Sequence, residues 1–299
     1  MEYVFDFVRE YLMQPNNWLP ENRVARYAII ASGVIVQFPL AIARRKFSVK
    51  SFSRWSLVTL SAVGIELFSV HVNPLAGIAG LLSHFLGNQM VVIGLTGGAG
   101  SGKSTLTTLL KKNNIPVVDA DAIAKEVVAP GSWTLFFLVQ SLGREILINP
   151  EDSRSGLDRA KLRGMIVSDP KARKTVNSIT HPMIIIEIFR QIFYHRVIKM
   201  RRLVVLDAPL LFETCLDRMC APIICVHVDK QTQLERLLKR DGSKGEDAER
   251  LQKLIDAQMD PGKRAALSDY RLNNGGSVAH FQDQAVNFFA TRYGYTLRV

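Results

Sequence analysis

Residues 90–113 constrain this chain more than any other stretch. An uncharged run, Met90–Thr96 (MVVIGLT), leads into Gly97-Gly98-Ala99-Gly100-Ser101-Gly102-Lys103-Ser104, and then into the amphipathic KSTLTTLLKK. A buried strand, a glycine-dense loop and a helix that runs through about Asn113 follow one another without a gap. In that context the pattern GxxxxGK[ST] builds a loop whose backbone N–H groups curl inward around phosphate oxygens. Side chains at Gly97, Gly98, Gly100 and Gly102 would block that approach. The helix opening at Lys103 adds the positive end of its dipole. Lys103 is placed to reach the β- and γ-phosphates, and Ser104 to put a hydroxyl on Mg²⁺. The nucleotide-binding candidates are therefore Gly97, Gly98, Ala99, Gly100, Ser101, Gly102, Lys103, Ser104 and Thr105.

Downstream, short apolar runs alternate with amphipathic segments. Strands are predicted at Met90–Thr96, Ile115–Asp119, Leu203–Asp207, Ile223–Val228 and Tyr270–Leu272. Helices are predicted at Ala122–Val128 and near Arg159–Ser168, Pro182–Lys199, Thr232–Arg240, Asp247–Met259 and Ser277–Tyr293. That alternation predicts an α/β fold, a parallel five-stranded sheet with helices on both faces.

A phosphate loop does not separate ATP from GTP, or a kinase from a switch protein. The carboxylates narrow the choice. Val117–Asp121 (VVDAD) ends the second strand, and the carboxyl ends of parallel strands open on the ligand crevice. Asp119 and Asp121 can face a bound hydroxyl or a metal there, and one can accept a proton from an attacking alcohol. Equally, Asp121 can cap the helix Ala122–Val128, and the sequence leaves both roles open. Asp207 closes the apolar LVVLD strand, where a carboxylate serves Mg²⁺ or merely ends a strand. Gln233–Arg240 (QLERLLKR) carries Arg236 and Arg240 on one helix face, ahead of the polar tip Asp241–Asp247. Cations on a movable segment close a lid over phosphates, although Arg236 reads as an ordinary solvated charge.

Residues 1–89 differ in character. Tyr27–Ala43 has 17 residues and Leu67–Leu86 has 20, both free of formal charge, and RRKFSVKSFSR lies between them. A membrane span needs about 20 apolar residues. Pro39 interrupts the first run; His71, Asn73, Pro74 and His84 dilute the second. Either run can still serve as a membrane helix, both or only the first spanning; if neither spans, the segment reads as a mainly helical apolar extension that contacts a membrane through residues 24–86, as a targeting segment, or as a mis-set gene start. A domain starting at Met90 is complete by itself. Net charge is +11, which suits anionic partners. No arginine-rich run, RNA-binding signature or zinc-finger spacing directs that charge to nucleic acid. The three cysteines, Cys215, Cys220 and Cys225, lack disulfide or zinc spacing.

Taken in order, these motifs resemble the dephospho-coenzyme A kinase family over about residues 90–295. The matching segments are IGLTGGAGSGKS, VVDADAIAKEVVAPG, ITHPMI with His181 and Pro182, DAPLLFE, RLLKRD, AQM and SDYRLNNGG. The resemblance implies a P-loop NTPase fold with a helical acceptor-binding insertion and a lid. It implies transfer of the ATP γ-phosphoryl, with Mg²⁺, to the ribose 3′-hydroxyl of dephospho-coenzyme A. It casts Asp121 as base and Lys103 and Arg240 on the transferring phosphoryl. Asp119, Arg159 and His181 fall on the acceptor side, Asn274 at the edge of the adenine pocket, and Ser104 and Asp207 at the metal. The extension, absent from the small bacterial members, points to a cytoplasm-facing form tethered to the mitochondrial outer membrane or endoplasmic reticulum. The rivals are another small-molecule kinase of a nucleoside or nucleotide, and a tethered nucleotide-binding scaffold without catalysis.

Overall fold

A computed structural model of the chain describes residues 31, 35–44, 56–65, 74–152, 154–241 and 246–299. Contacts divide the chain into one unit of Met1–Val92 with Asp217–Pro222 and a larger one of Ile93–Leu216 with Ile223–Val299.

In the first unit, residues 35–44, 56–65 and helix α1 (Pro74–Met90) are helical, as expected for the extension. Gln37 is buried, its Nε2 donating to the Ala62 carbonyl at 2.9 Å and its Oε1 lying 3.2 Å from His84 Nδ1. Ala41 and Ala62 are buried beside it, while Ile35, Leu57, Leu60, Val63, Ile78, Leu81, Leu82 and Phe85 are exposed. Among the described residues no helix is long and apolar enough to cross a membrane. Both charge-free runs fall partly outside the described residues, at 27–30, 32–34 and 67–73, as do residues 45–54 of the basic connection.

The sheet has five strands: β1 (Val92–Thr96), β2 (Val117–Asp119), β3 (Val205–Asp207), β4 (Cys220–His227) and β5 (Tyr270–Asn273). Their order is β2-β3-β1-β4-β5, with parallel pairing between β2 and β3, β3 and β1, and β4 and β5. Every residue of β1 is buried, which explains its unbroken apolar run. Helices α2 (Lys103–Lys112) and α10 (Val278–Tyr293) pack Leu106, Leu109, Leu110, Phe281, Ala285 and Phe289 against Ile93, Leu95, Val205, Ile224, Val226 and Leu272. Burial of this apolar face fixes the sheet under the loop.

The stretch between β2 and β3 is helical and has a core of its own. It holds α3 (Ala120–Glu126), α4 (Trp133–Leu142), α5 (Arg159–Ser168) and α6 (Pro170–Phe193) around Val128, Leu138, Ile146, Leu162 and Val176. Two departures from the sequence reading lie here. Helix α4 was not anticipated; Ser132 caps it by accepting from the Leu135 N–H. The helix expected from Pro182 instead starts at Pro170, where Asp169 caps it and proline sits in the first turn. Pro182 lies inside it, because buried Val176, Ile188 and Ile192 hold both halves to the protein where proline withholds one N–H.

Beyond β4, α7 (Lys230–Asp241) and α8 (Glu246–Asp256) bury Leu237, Leu251 and Ile255 against each other, and α9 (Pro261–Leu267) precedes β5. The tip at 242–245 lies outside the described residues. Cys220 and Cys225 are buried and Cys215 is exposed, and none of the three is in a disulfide.

Candidate active site

The loop between β1 and α2 is held in shape from outside. Gly100 and Gly102 have φ of +73° and +89°, the left-handed region that favours glycine. Gly102 is doubly required, because a Cβ there would collide with Asn274 Nδ2. Asn274 is buried and donates from that atom to the Ser101 carbonyl at 2.8 Å. Its own backbone N–H donates to the His227 carbonyl at 2.9 Å, so the end of β5 is fixed to the end of β4. Arg236 Nη2 donates to the Asn274 carbonyl at 2.7 Å. Arg236 is thus built into the loop's support, a correction to its reading as a solvated surface charge. The Asn274 side chain meets the loop itself. Gln233 packs under Gly98, where an added Cβ would lie 2.9 Å from its Oε1, and Gln258 Oε1 accepts from the Ala99 N–H at 3.1 Å.

Three carboxylates stand at the carboxyl edge of the sheet. Asp119 pairs in register with Asp207 across β2 and β3, and Leu95 pairs with Asp207 across β1 and β3. Asp119 accepts from the Ala122 N–H at 2.9 Å and caps α3. The cap therefore belongs to Asp119, two residues before the position considered from sequence, because α3 begins at Ala120. Asp121 lies in the first helical turn, its side chain exposed toward solvent. Asp207 is different. Burial, aided by the nearby Asp119 and Asp121 charges and opposed by Lys103, pushes its pKa up to about 6. Its Oδ1 is buried and has no hydrogen-bond partner among the described residues. A buried carboxylate oxygen with no partner, close enough to Lys103 to feel its charge, fits a divalent cation held through few protein ligands and completed by phosphate and water.

Two cavities meet at this edge. One, of about 810 Å³, is lined by Gly98, Lys103, Ser104, Asp121, Arg236 and Arg240, and closed on the lid side by Leu237, Leu251 and Leu254. The other, of about 170 Å³, is bounded by His181, Ile184, Ile185 and Ile188 of α6, Leu210 after β3, and Asp121. Asp121 and Pro209 line both. His181 also borders an open groove with Arg173 and Lys174. Arg159 lines neither cavity at Asp121; its Nη2 donates to the Lys125 carbonyl at 3.3 Å. Sequence reasoning did not single out Gln233, Pro209 or Gln258. Gln258 sits in the AQM segment, so a signal existed for it, whereas nothing in QTQLER distinguishes Gln233 from a surface glutamine.

The sheet order, the loop and the carboxylate edge define a P-loop nucleotide-binding protein of the α/β class. Residues 91–280 match the family described as dephospho-CoA kinase. A "Dephospho-CoA kinase" of Syntrophotalea carbinolica is 39% identical over 201 residues, covering 67% of this chain and 92% of the relative. A "Dephospho-CoA kinase domain-containing protein" of Danio rerio is 41% identical over 190 residues, 63% of this chain and 79% of the relative. A crystal structure of the Thermus thermophilus protein TT1252 superposes with a TM-score of 0.56 at 26% identity, covering 68% of this chain and 98% of the other. The chain belongs to the dephospho-CoA kinase family.

Proposed function

We propose that the protein transfers the γ-phosphoryl of ATP to the ribose 3′-hydroxyl of dephospho-coenzyme A, giving coenzyme A and ADP, the last step of coenzyme A synthesis. The observation that carries this reading is the position of Asp121 on the wall shared by the two cavities. ATP occupies the larger one with its phosphates on the loop. Lys103 draws charge from the β- and γ-phosphates, and Arg240 neutralises charge on the transferring group. Ser104 and Asp207 would hold Mg²⁺, which would supply further charge neutralisation at the phosphates. The acceptor lies against α6, with its hydroxyl toward Asp121. Asp121 takes the proton of that hydroxyl as the oxygen attacks phosphorus and the bond to the ADP oxygen breaks. Asp119 fixes the start of α3 and hence the aim of Asp121. His181 borders the acceptor, Arg159 steadies α3 through Lys125, and Asn274 acts by shaping the loop that bounds the ATP site. An ADP-release assay on the full chain, with ATP and Mg²⁺ and with dephospho-coenzyme A, AMP, uridine or no acceptor, decides the reading. Release that requires dephospho-coenzyme A is expected; equal release with uridine would overturn it.

We further infer that residues 90–299 form the catalytic domain and that residues 1–89 contact a lipid membrane through their apolar helices. The support is the inverted packing of the described helices of this segment, with polar Gln37 and small alanines inside and leucines, isoleucines and phenylalanine outside. Residues 56–65 and α1 carry no charged side chain to hydrate that exterior. Buried polar and small residues under an apolar exterior are the pattern of helices solvated by lipid. Full-length chain is expected to float with anionic vesicles and Leu60→Asp with Leu81→Asp to stay in solution. Flotation unchanged by both substitutions would reject the contact.

A further inference from the structure

Ala99 is tied at two points to the segment beyond β4. Its methyl packs against the Leu237, Leu251 and Ile255 cluster that joins α7 to α8. Its N–H donates to Gln258 Oε1 at 3.1 Å, a bond between residues 159 apart in the chain. Each backbone N–H is a single donor, and in a loop of this pattern those donors serve phosphate oxygens. Gln258 Oε1 is a polarised carbonyl oxygen on the cavity wall, on a donor that phosphate would use.

Gln258 is not on a free end. It lies two residues after α8 and two before Asp260, which caps α9 by accepting from the Gly262 and Lys263 N–H groups at 2.9 and 3.1 Å. Its own N–H donates to the Ile255 carbonyl at 3.1 Å. On α8, Asp256 pairs with Lys230 of α7 at 2.9 Å. The glutamine is therefore anchored to the helix pair that carries Arg236 and Arg240 into the cavity.

We propose that Gln258 is a positioning residue, a latch on the Ala99 N–H that a nucleotide phosphate displaces. Phosphate takes the N–H, Gln258 is released, and the α7–α8 pair is informed at Ala99 that the loop is filled. This rests on the nucleotide reading of the loop and goes beyond it. The latch competes with nucleotide, so removing it and strengthening it must act in opposite directions.

The test is calorimetric titration of the full chain with MgADP, for wild type and for Gln258→Ala, Gln258→Asn and Gln258→Glu, with melting curves of each. Gln258→Ala removes the competing acceptor and is expected to tighten MgADP by about twofold to tenfold, the range of one net hydrogen bond. Gln258→Asn, shorter by one methylene, is expected to follow it. Gln258→Glu keeps the acceptor, strengthens it with charge and repels phosphate, and is expected to weaken MgADP by at least about tenfold. Either of the alanine and asparagine variants suffices if the other does not fold. Weaker binding in both would make Gln258 an ordinary nucleotide contact and overturn the latch. Unchanged affinity in all three would overturn it too. Failure of the wild-type chain to bind MgADP at all would instead remove the nucleotide reading on which the latch stands.

Discussion

Asp119 and Asp207 lie side by side in register on neighbouring strands, yet only Asp119 has its carboxylate occupied. Asp119 takes the Ala122 N–H, whereas Asp207 Oδ1 is buried without a partner. Two aspartates that look alike in sequence therefore hold opposite positions. One is part of the scaffold, and the other is costly for the fold to keep charged.

The cost of Asp207 is measurable. Its folded pKa is raised to about 6, above the unfolded value, so the folded protein holds this proton when the unfolded chain has released it. Stability from this group is thus full below the unfolded value near 4 and declines as pH rises to about 6. Asp207→Asn removes the buried charge. It is expected to raise the melting temperature of the nucleotide-free protein at pH 7.5, by an effect of up to ~3 kcal/mol. That gain should shrink at pH 5. With MgATP the order should reverse, because the wild type alone offers a carboxylate to the cation. A variant no more stable than wild type at pH 7.5 would show that Asp207 is not strained.

The brace under the loop gives a second expectation. Asn274→Ala leaves the Ser101 carbonyl without its donor and Gly102 with a void beside it. A loss of about 1–3 kcal/mol follows from a buried acceptor left unpaired. The KM for ATP should rise, since the loop loses its fixed curl, while the KM for the acceptor should hold. Asn274→Asp is expected to be worse, because a carboxylate would face a carbonyl oxygen. A melting temperature and ATP KM equal to wild type in both variants would discard the brace.

How much of this was legible in the sequence depends on where each residue's partner lies. The loop and the strand before it were legible because local spacing dictates them. The sheet was legible because its strands are buried runs. The loop-bracing roles of Asn274, Gln233 and Arg236 were not. Their roles come from partners at Ser101, Gly98 and Asn274, far away in sequence, and neither period nor propensity encodes such a partner. Helix α6 misled for a local reason. Pro182 looks like a helix start, but Asp169 and Pro170 give the same signal 12 residues earlier with a cap.

Arg264 and Glu213 test how α9 is fixed to the loop after β3. Arg264 is buried, its Nη2 lies 3.5 Å from Glu213 Oε1, and its Nε has no partner among the described residues. Glu213→Ala leaves a buried cation uncompensated and is expected to destabilise by about 2–3 kcal/mol, reduced from the fully buried case because the glutamate is partly exposed. Arg264→Met fills similar volume without charge and should cost less. Chemical denaturation of both gives the order, and a milder glutamate variant would contradict it.

Asp121 separates binding from transfer most sharply. Its side chain borders both cavities, so it can influence the ATP site, the acceptor site or the step that joins them. Asp121→Asn keeps volume and hydrogen bonding but removes the proton acceptor. Folding should be little affected, because the residue is exposed in the first turn of α3 and the cap belongs to Asp119. ATP and acceptor affinities should stay within about twofold, and kcat should fall by about 10²–10⁴, the range for a lost general base. A fall in acceptor affinity with kcat preserved would make Asp121 a binding group for the hydroxyl. Asp121→Glu sharpens the choice. It retains the base but moves it by one methylene, so it should recover part of kcat if proton transfer matters, and none if only the fit of the acceptor does.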